Sequence, residues 1–472
     1  MRLDIAKVIG LMLKCLCGSF DRLDFWDYEK VKMKRQILSD FKDWKNNTNR
    51  KPLLLTGVRQ CGKTYVLHQF AKECFDEVAY LNFERDPRIG EVFERDLDAK
   101  RIVNDLSNLF LHQPIKPGKT ILIFDEIQLQ PKAITALKYF QEDLPELAVV
   151  GAGSLLGVSI RANQLSFPVG KVDRLVMYPM SFREFLWANE GDAYENSLSQ
   201  YTLDEALPSY ISSKLQELYF EYLIVGGMPE AVKTWVETKD IAQVSRVQEN
   251  ILFGYENDFA KHAPGSELTK IQSIWESVPQ QLAKDNNKFV FSQVKKSTRA
   301  KDLEESLGWL VDAGLIHRLC KVENAVIPLS SNQDSTFYKV YFCDTGLLCR
   351  KANFTMKSLL DQAMISGGFR GSITENYVLS ELLNLGYHPF FWRSGNTAEV
   401  DFLIEDGGRV IPVEAKANLN TQAKSFRLFV KKYRTEIGFR LSLKNIGIQD
   451  AENTKTISLP LYLLWRIKNY LK

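Results

Sequence analysis

Hydrophobic and polar residues alternate in blocks along the first part of the chain, and the blocks predict alternating strands and helices. Short aliphatic runs begin near positions 53, 78, 120, 147 and 173, and amphipathic stretches separate them. The run that begins at 120, Thr-Ile-Leu-Ile-Phe-Asp-Glu, is apolar on both faces, which is typical of a strand inside a parallel sheet. Strands that alternate with helices in this way predict an α/β fold with a doubly wound parallel sheet.

Length and composition fit a globular protein of several domains. The chain has 472 residues, of which 45% are hydrophobic and 25% charged. The net charge of +3 is too small to indicate nucleic acid by itself. The seven cysteines show no zinc-binding spacing, and an odd count fits a reducing compartment, so we expect a cytoplasmic protein. The apolar run at 8–17 is interrupted by Lys14 and is too short to cross a bilayer, so we expect no membrane partner.

The most informative motif lies between the first predicted strand and the next helix. It has the pattern G-x-x-x-x-G-K-[ST], formed by Gly57, Val58, Arg59, Gln60, Cys61, Gly62, Lys63 and Thr64. Its glycines let successive N–H groups point at a phosphate, Lys63 would reach the β- and γ-phosphates, and the Thr64 hydroxyl would bind Mg²⁺. The alternative is a glycine turn before an ordinary amphipathic helix. The pattern predicts binding of ATP with Mg²⁺.

Polar residues at the ends of two later strands extend this site. Asp125 and Glu126 end the third predicted strand, at the edge where open α/β sheets place their chemistry. Asp125 would bind Mg²⁺ through water, and Glu126 would polarise the attacking water as a general base. Ser154, after the fourth strand, would touch the γ-phosphate or the attacking water, or would simply cap the next helix. These residues predict hydrolysis.

A second group of chemically distinctive residues lies near the C-terminus. Asp401 and Glu399 share one face of a predicted strand, and after a hairpin turn Glu414 and Lys416 share one face of the next. A simple surface ion pair is the alternative reading of these residues. Glu375 belongs to a predicted helix start of the form Ser-x-x-Glu, which a capping box also explains. Pro412 suggests an edge strand or a strand start.

Several of these features together resemble prokaryotic AAA-type ATPases that carry a C-terminal domain of unknown function. They are the phosphate loop, the Asp125-Glu126 strand end, the Gly-Ser turn at 153–154 and the segment Tyr-Pro-Met-Ser-Phe-Arg-Glu-Phe-Leu from Tyr178. The resemblance covers the chain from about residue 34 onward. Family members have an arginine before the fifth strand, where Lys171 stands here. Arg161, Arg174 and Arg183 are alternative arginine-finger candidates, which the sequence does not rank.

The C-terminal group also resembles the core of PD-(D/E)xK nucleases. The resemblance implies that Asp401 and Glu414 bind Mg²⁺ with help from Glu375. Lys416 would orient or deprotonate the attacking water.

A helix ending at Gly314 and the strand after it resemble a winged-helix module. Four basic residues stand where such a module would meet a DNA backbone: Lys295, Lys296, Arg299 and Lys301. The alternative is a solvated basic face on a module that docks on protein.

The resemblance divides the chain into five parts. They are an N-terminal extension (1–33), a P-loop ATPase core (34–190), a helical lid (191–265), a winged-helix-like module (266–335) and a nuclease-like domain (336–472). We expect an ATPase that gates a nuclease-like domain acting on DNA. The alternatives are a nucleotide-controlled DNA- or protein-binding switch that does not cut, and an assembly ATPase whose partners are copies of itself.

Overall fold

The computed structural model of the chain contains two sheets joined by helices. It describes residues 33–158, 167–283, 289–294, 300–360, 367–395, 398–417, 424–451 and 454–471. Some sequence features lie outside the described residues: the apolar run at 8–17, Arg161, Lys295, Lys296 and Arg299.

The N-terminal sheet confirms the predicted α/β fold. Its five parallel strands are β1 (Leu53–Thr56), β2 (Glu77–Asn82), β3 (Thr120–Asp125), β4 (Ala148–Gly153) and β5 (Asp173–Val176). Their order is β2-β3-β4-β1-β5, so β1 lies between β4 and β5. Every residue of β3 and β4 is buried, as expected for aliphatic runs covered on both faces. The carboxyl ends of β1, β3 and β4 meet at one edge, where the predicted site residues stand.

Helices pack around this sheet and form the layer above it. Those of the first half are α1 (Ile37–Asn46), α2 (Lys63–Cys74), α3 (Val92–Arg95), α4 (Ala99–Asp105), α5 (Pro131–Asp143), α6 (Phe182–Glu190), α7 (Ala193–Leu198), α8 (Ser209–Val225), α9 (Pro229–Thr238) and α10 (Ile241–His262). Those of the second half are α11 (Leu268–Leu282), α12 (Phe291–Val294), α13 (Ala300–Asp312), α14 (Thr345–Lys351), α15 (Met356–Leu360), α16 (Gly367–Asn384) and α17 (Lys424–Tyr433). In the part of the chain that is described, none of these helices combines the length and the apolar character that crossing a membrane requires.

The C-terminal sheet has eight strands and is mixed. They are β6 (Ile316–Val322), β7 (Gln333–Phe342), β8 (Phe390–Ser394), β9 (Ala398–Asp406), β10 (Arg409–Ala415), β11 (Ile437–Ser442), β12 (Gly447–Ala451) and β13 (Thr454–Pro460). Their order is β12-β13-β11-β10-β9-β8-β6-β7. The strands after α13 therefore belong to the same sheet as the C-terminal hairpin, and the predicted domain limit after residue 335 falls inside β7. The chain ends in a 3₁₀ helix, Leu461–Tyr470.

Three local predictions differ from the structure. The apolar spacing between residues 27 and 44 predicts one helix there; the helix that the structure describes is Ile37–Asn46, and residues 33–35 are not helical. Ser372 is not a helix cap, because α16 is already helical at Gly367 and the Ser372 hydroxyl donates to the Leu282 carbonyl. β10 is not an edge strand: Pro412 pairs with β9, and the parallel pairing with β11 begins only at Val413, where no proline nitrogen is needed.

One hydrophobic core connects the two sheets. The largest cluster of buried apolar side chains extends from Met33 through β1 and the helical layer to β13 and the final 3₁₀ helix. A second cluster covers the other face of the N-terminal sheet, between β3 and α5. The helices between the two sheets pack against both of them. A displacement at one sheet is therefore opposed by close-packed side chains that also contact the other sheet.

Candidate nucleotide site and C-terminal carboxylate cluster

The phosphate loop leaves β1 at its buried end and enters α2 directly. A Cβ on Gly57 would lie 2.2 Å from the Met177 carbonyl oxygen, so only glycine fits beside the end of β5. Gly62 has a φ of +95°, a left-handed conformation that glycine adopts without steric cost. The loop backbone therefore takes the curl that the sequence predicts, with the N-terminus of α2 at its centre.

Lys63 lies within the curl of this loop. Its Nζ donates to the Gly57 carbonyl at 2.8 Å and to the Val58 carbonyl at 3.0 Å. The side chain is buried, and its charge is held at the place where a phosphate would be bound. Lysine is suited to this position because a compact cation on a flexible stem can move from carbonyl oxygens to phosphate oxygens.

Asp125 and Thr64 face each other at the start of α2. The Thr64 hydroxyl donates to Asp125 Oδ2 at 3.0 Å, and Asp125 is 3% exposed. Two hard oxygen donors at the helix start are what Mg²⁺ prefers beside nucleotide phosphates, so these residues fit the predicted ion. They would hold it, Thr64 directly and Asp125 behind it.

Two residues of β2 contribute to this site and were not predicted. Tyr80 donates to Asp125 Oδ2 at 2.6 Å, and Asn82 Nδ2 lies 3.4 Å from the same oxygen. Burial and the Asp125 charge raise the pKa of the Tyr80 phenol above its usual range, so it stays a donor. The signal was present in the sequence, because alternate residues at the end of a strand point to one face.

Glu126 takes a left-handed conformation after β3, with a φ of +53°. Burial raises the pKa of its carboxyl, while Gln128, whose amide donates to it, and Lys63 favour the charged form. The general-base role of Glu126 stays a prediction, and the same holds for the phosphate contact of Ser154.

A cavity of about 260 Å³ adjoins the phosphate loop. It is lined by Gly57, Val58, Ser154, Arg174, Asp312, His317 and nine other residues. The end of α13 closes one side: a Cβ on Gly157 would lie 2.7 Å from the Asp312 carbonyl oxygen. Burial lowers the pKa of His317 to about 4, so this histidine is neutral near pH 7. The region predicted as a winged-helix module thus packs directly on the nucleotide site.

Helices α9 and α10 also contact the phosphate loop. Arg59 forms an ion pair with Asp258 of α10, and the Tyr255 hydroxyl donates to the Arg59 carbonyl at 2.9 Å. Pro229, which begins α9, lies 3.4 Å from the Cβ position of Gly62. These contacts place α9 and α10 against the phosphate loop, and a lid over the nucleotide stays a prediction.

The arginine candidates differ in their surroundings. Arg183 forms an ion pair with Glu195 and stacks on the rings of Trp187 and Trp465, so it is engaged within the chain. Lys171 forms an ion pair with Glu142 at 2.9 Å. Arg174 is exposed on β5 and lines the cavity. Of the three arginine candidates, Arg174 is therefore the described one that is free to meet a ligand.

The C-terminal hairpin brings Asp401, Glu414 and Lys416 together as predicted from strand alternation. Lys416 Nζ lies 2.6 Å from Glu414 Oε1 and 3.7 Å from Asp401 Oδ2. The Ala415 N–H also donates to Asp401 Oδ2 at 2.8 Å. Asp401 and Glu414 are 8% and 4% exposed, whereas the Lys416 side chain is 37% exposed, so buried carboxylates here pair with a partly exposed lysine. Among the described residues, Glu414 Oε2 has no hydrogen-bond partner.

Glu375 of α16 lies beside the hairpin, but a lysine and a tyrosine of β7 contact it. The Tyr341 hydroxyl donates to Glu375 Oε2, and Lys339 Nζ lies 3.3 Å from the same oxygen. Lys339 also lies 2.7 Å from Glu399 Oε1 and is 2% exposed. Neither Lys339 nor Tyr341 was predicted, since both belong to a strand outside the hairpin, although they are alternate residues on it.

Charge within this carboxylate cluster is balanced by lysines. Burial and the neighbouring carboxylates raise the pKa of Asp401, and burial raises that of Glu414 against the effect of Lys416. Burial alone would lower the pKa of Lys339, but Glu375 and its neighbours hold it above the usual range. Among the residues that the structure describes, no three His, Cys, Asp or Glu side chains are placed to hold a metal ion. The Mg²⁺ role of Glu375, Asp401 and Glu414 therefore stays a prediction.

Three family models match consecutive parts of the chain. Residues 49–186 match the AAA domain, residues 216–358 a domain of unknown function (DUF8612), and residues 370–462 another domain of unknown function (DUF4143). The first match contains the phosphate loop and all five parallel strands. The other two contain the C-terminal sheet and give it no activity.

Two curated relatives match at low identity. An uncharacterized protein of Haemophilus influenzae is 23% identical over 80% of this chain and 86% of its own length. An uncharacterized protein of Methanocaldococcus jannaschii is 24% identical over 45% of this chain, and this chain spans 45% of that protein.

Solved structures that superpose on part of this chain include a Walker-type ATPase of Pyrococcus abyssi and the ORC2 protein of Aeropyrum pernix. The first has a TM-score of 0.43 at 16% identity, over 68% of this chain and 96% of that one. The second has a TM-score of 0.35 at 11% identity, over 71% and 97%. The fold assignment rests on the sheet, the loop and the family match, and not on these superpositions. Residues 49–186 match the AAA domain and have the α/β fold of a P-loop ATPase.

Proposed function

We propose that the protein binds ATP with Mg²⁺ at the phosphate loop and hydrolyses it. The observation that carries this proposal is the convergence of Lys63, Thr64 and Asp125 at the start of α2. Lys63 would neutralise the β- and γ-phosphates, and the loop N–H groups would bind their oxygens. Mg²⁺, when bound, supplies charge neutralisation at the same oxygens.

Glu126 would take the proton of the attacking water, and Ser154 would orient that water or the γ-phosphate. The test separates binding from hydrolysis. Glu126→Gln should bind ATP with unchanged affinity and lose hydrolysis by about 100-fold or more, since a positioned base contributes 10²–10⁴. Glu84→Gln, a nearby exposed carboxyl, is the control and should keep both. Equal turnover in Glu126→Gln and in the unmodified protein would refute the base assignment.

We further propose that ATP turnover gates the C-terminal domain, and that this domain acts on DNA as a metal-dependent nuclease. The support is the convergence of Asp401, Glu414 and Lys416 with Glu375 nearby, together with the unpartnered Glu414 Oε2. In the described residues Lys339 and Lys416 neutralise these carboxylates and no three of them are placed to hold a metal ion, so the metal's role stays part of the proposal and we derive no step through it. The domain limits and a cytoplasmic location belong to the same proposal.

The second candidate is a nucleotide-controlled switch whose C-terminal domain binds DNA or protein without cutting. The observation that favours it is Lys339, whose buried ammonium already neutralises Glu375 and Glu399.

DNA cleavage with Mg²⁺ or Mn²⁺ decides between the two candidates. Loss of cleavage in Asp401→Ala supports the nuclease, and DNA binding without cleavage by the unmodified protein supports the switch. Intact ATPase activity with no DNA binding at low salt would instead indicate assembly with further copies of the chain.

A further inference from the structure

A buried arginine, Arg35, contacts the phosphate loop through one of the loop's carbonyl groups. Arg35, which precedes α1, is 4% exposed, and its Nη1 donates to the Cys61 carbonyl at 2.8 Å. Its Nη2 donates to the Tyr178 carbonyl beyond β5 at 2.7 Å. One planar guanidinium thus joins the loop to the end of the neighbouring strand, and the Arg35 Nη1 lies 3.6 Å from the Cβ position of Gly62. No other side chain has five donors in this fixed geometry.

Glu184 completes the arrangement on the far side of Arg35. Arg35 Nε lies 3.1 Å from Glu184 Oε2, in an ion pair whose two side chains are 3% and 2% exposed. Glu184 also accepts from the Ser181 N–H at 3.0 Å and from the Gln36 N–H at 2.6 Å. The carboxylate is therefore fixed at the start of α6, so its position and that of the phosphate loop depend on each other.

The next N–H along the chain is bound by the C-terminal half of the protein. The Phe182 N–H, at the first position of α6, donates to Glu381 Oε1 at 2.7 Å, and Glu381 is 1% exposed. Glu381 lies on α16, the helix that also carries Glu375 six positions earlier. The rings of Phe182 and Tyr377 pack at 6.5 Å beside this hydrogen bond. Buried polar contacts therefore run from the phosphate loop to the helix of the carboxylate cluster.

We propose that Arg35 is a positioning residue of the ATPase site, and that the Glu381 contact with α6 transmits nucleotide occupancy to α16. The inference rests on the proposed ATPase function and assigns the gating to named residues. A phosphate drawn into the loop shifts the Cys61 carbonyl, Arg35 follows it, and Glu184 and the start of α6 follow Arg35. Since interiors are close-packed, α16 moves or stiffens with α6.

The first experiment measures ATP turnover in Arg35→Lys. Lysine keeps the charge but cannot bind two carbonyls and a carboxylate as a fork, so we expect the KM for ATP to rise by about tenfold or more. Lys34→Gln, an exposed neighbour paired with Asp192, is the control and should stay within about twofold, as surface ion pairs contribute little. A merely structural role would lower thermal stability and leave the KM of the folded fraction unchanged. An unchanged KM in Arg35→Lys overturns the positioning role.

The second experiment follows hydrogen exchange in residues 367–384 with and without a non-hydrolysable ATP analogue, in the full chain. We expect the analogue to slow exchange there in the unmodified protein and in Glu381→Gln, which keeps the acceptor oxygen. We expect no slowing in Glu381→Leu, which leaves the Phe182 N–H unpaired. Arg35→Lys, saturated with analogue, interrupts the same chain of contacts at its phosphate-loop end. It replaces Glu381→Leu in this experiment if that variant does not fold.

A full response in both Glu381→Leu and Arg35→Lys, or no response in the unmodified protein with analogue bound, overturns the transmission. Binding of the analogue is measured directly in the same samples. Failure to bind it would show that the ATPase proposal itself has failed, and the inference would fall with it.

Discussion

The two candidate sites hold their charged groups in opposite ways. At the phosphate loop, Lys63 rests on backbone carbonyls, which are neutral partners that it can leave when a phosphate arrives. In the C-terminal cluster, Lys339 and Lys416 contact carboxylates, of which Glu375, Asp401 and Glu414 are largely buried and Glu399 is 33% exposed. A site built from contiguous backbone is prepared for an anion, whereas a site built from opposite charges is already neutralised. The comparison suggests that ligand binding costs more reorganisation at the C-terminal cluster.

Removing Lys63 should break the first site completely. Lys63→Ala leaves the developing phosphate charge without its cation, and we expect ATP turnover to fall by about 100-fold or more, on the scale of one lost transition-state donor. The C-terminal cluster should keep its structure, since Lys63 contacts only loop carbonyls in the described residues. Steady-state ATPase assays measure the loss. Lys42→Ala, an exposed lysine paired with Glu73 on the same domain, should keep its activity; comparable turnover in the two variants would contradict the assignment of the loop.

Removing Lys339 should destabilise the second site, and the effect should appear in the free energy of unfolding instead of in ATP turnover. Lys339→Met removes the buried cation that contacts both Glu375 and Glu399, so we expect a loss of about 3–5 kcal/mol, as for other broken buried ion pairs. Lys321→Met, on the neighbouring strand β6, removes a partly exposed pair with Asp334 and should cost about 1 kcal/mol. Chemical denaturation measures both. Equal losses would mean that Lys339 is not needed to neutralise the cluster.

The sequence predicts residues that a local pattern specifies and misses residues that only the long-range packing of the chain brings together. The loop, Asp125 and Glu126 were predictable because a contiguous motif and the ends of buried strands specify them locally. The E-x-K pair was predictable from strand alternation. Lys339 and Tyr341 were not, because they reach the cluster only through the order of β6, β7 and β8 in the sheet, which no local pattern specifies. Arg35 was missed for the same reason: its three partners lie 26, 143 and 149 positions away.

Two buried carboxyls that make long-range contacts, those of Glu381 and Asp344, should make the stability of the protein depend on pH. Burial raises the pKa of Glu381 from 4.5 to about 8, and that of Asp344, which accepts from the Gly227 N–H, from 3.8 to about 6. Each folded-state carboxyl keeps a proton that the unfolded chain releases, so stability falls as pH rises between the two values, by at most about 1.4 kcal/mol per pH unit for each group. Glu381→Gln should therefore flatten the decline in stability up to about pH 8.

Unfolding curves across pH 4–9 test this expectation, and Asp344→Asn is its control. That variant should flatten the decline only below about pH 6, because Asp344 is ionised in both states above it. Should the two variants flatten the same pH range, the difference in their folded-state pKa values would be wrong.

The smallest expected effect calibrates the others. Arg88 pairs with Asp86 at 2.8 Å on the surface of the ATPase part, with the arginine side chain 76% exposed. Here water competes for both charges and the residues are two positions apart, so the pair needs no folded core to form. We expect Arg88→Gln to leave both the free energy of unfolding and ATP turnover unchanged within the error of the measurement. A loss approaching that of Lys339→Met would mean that burial is not what distinguishes the C-terminal cluster from the surface pairs.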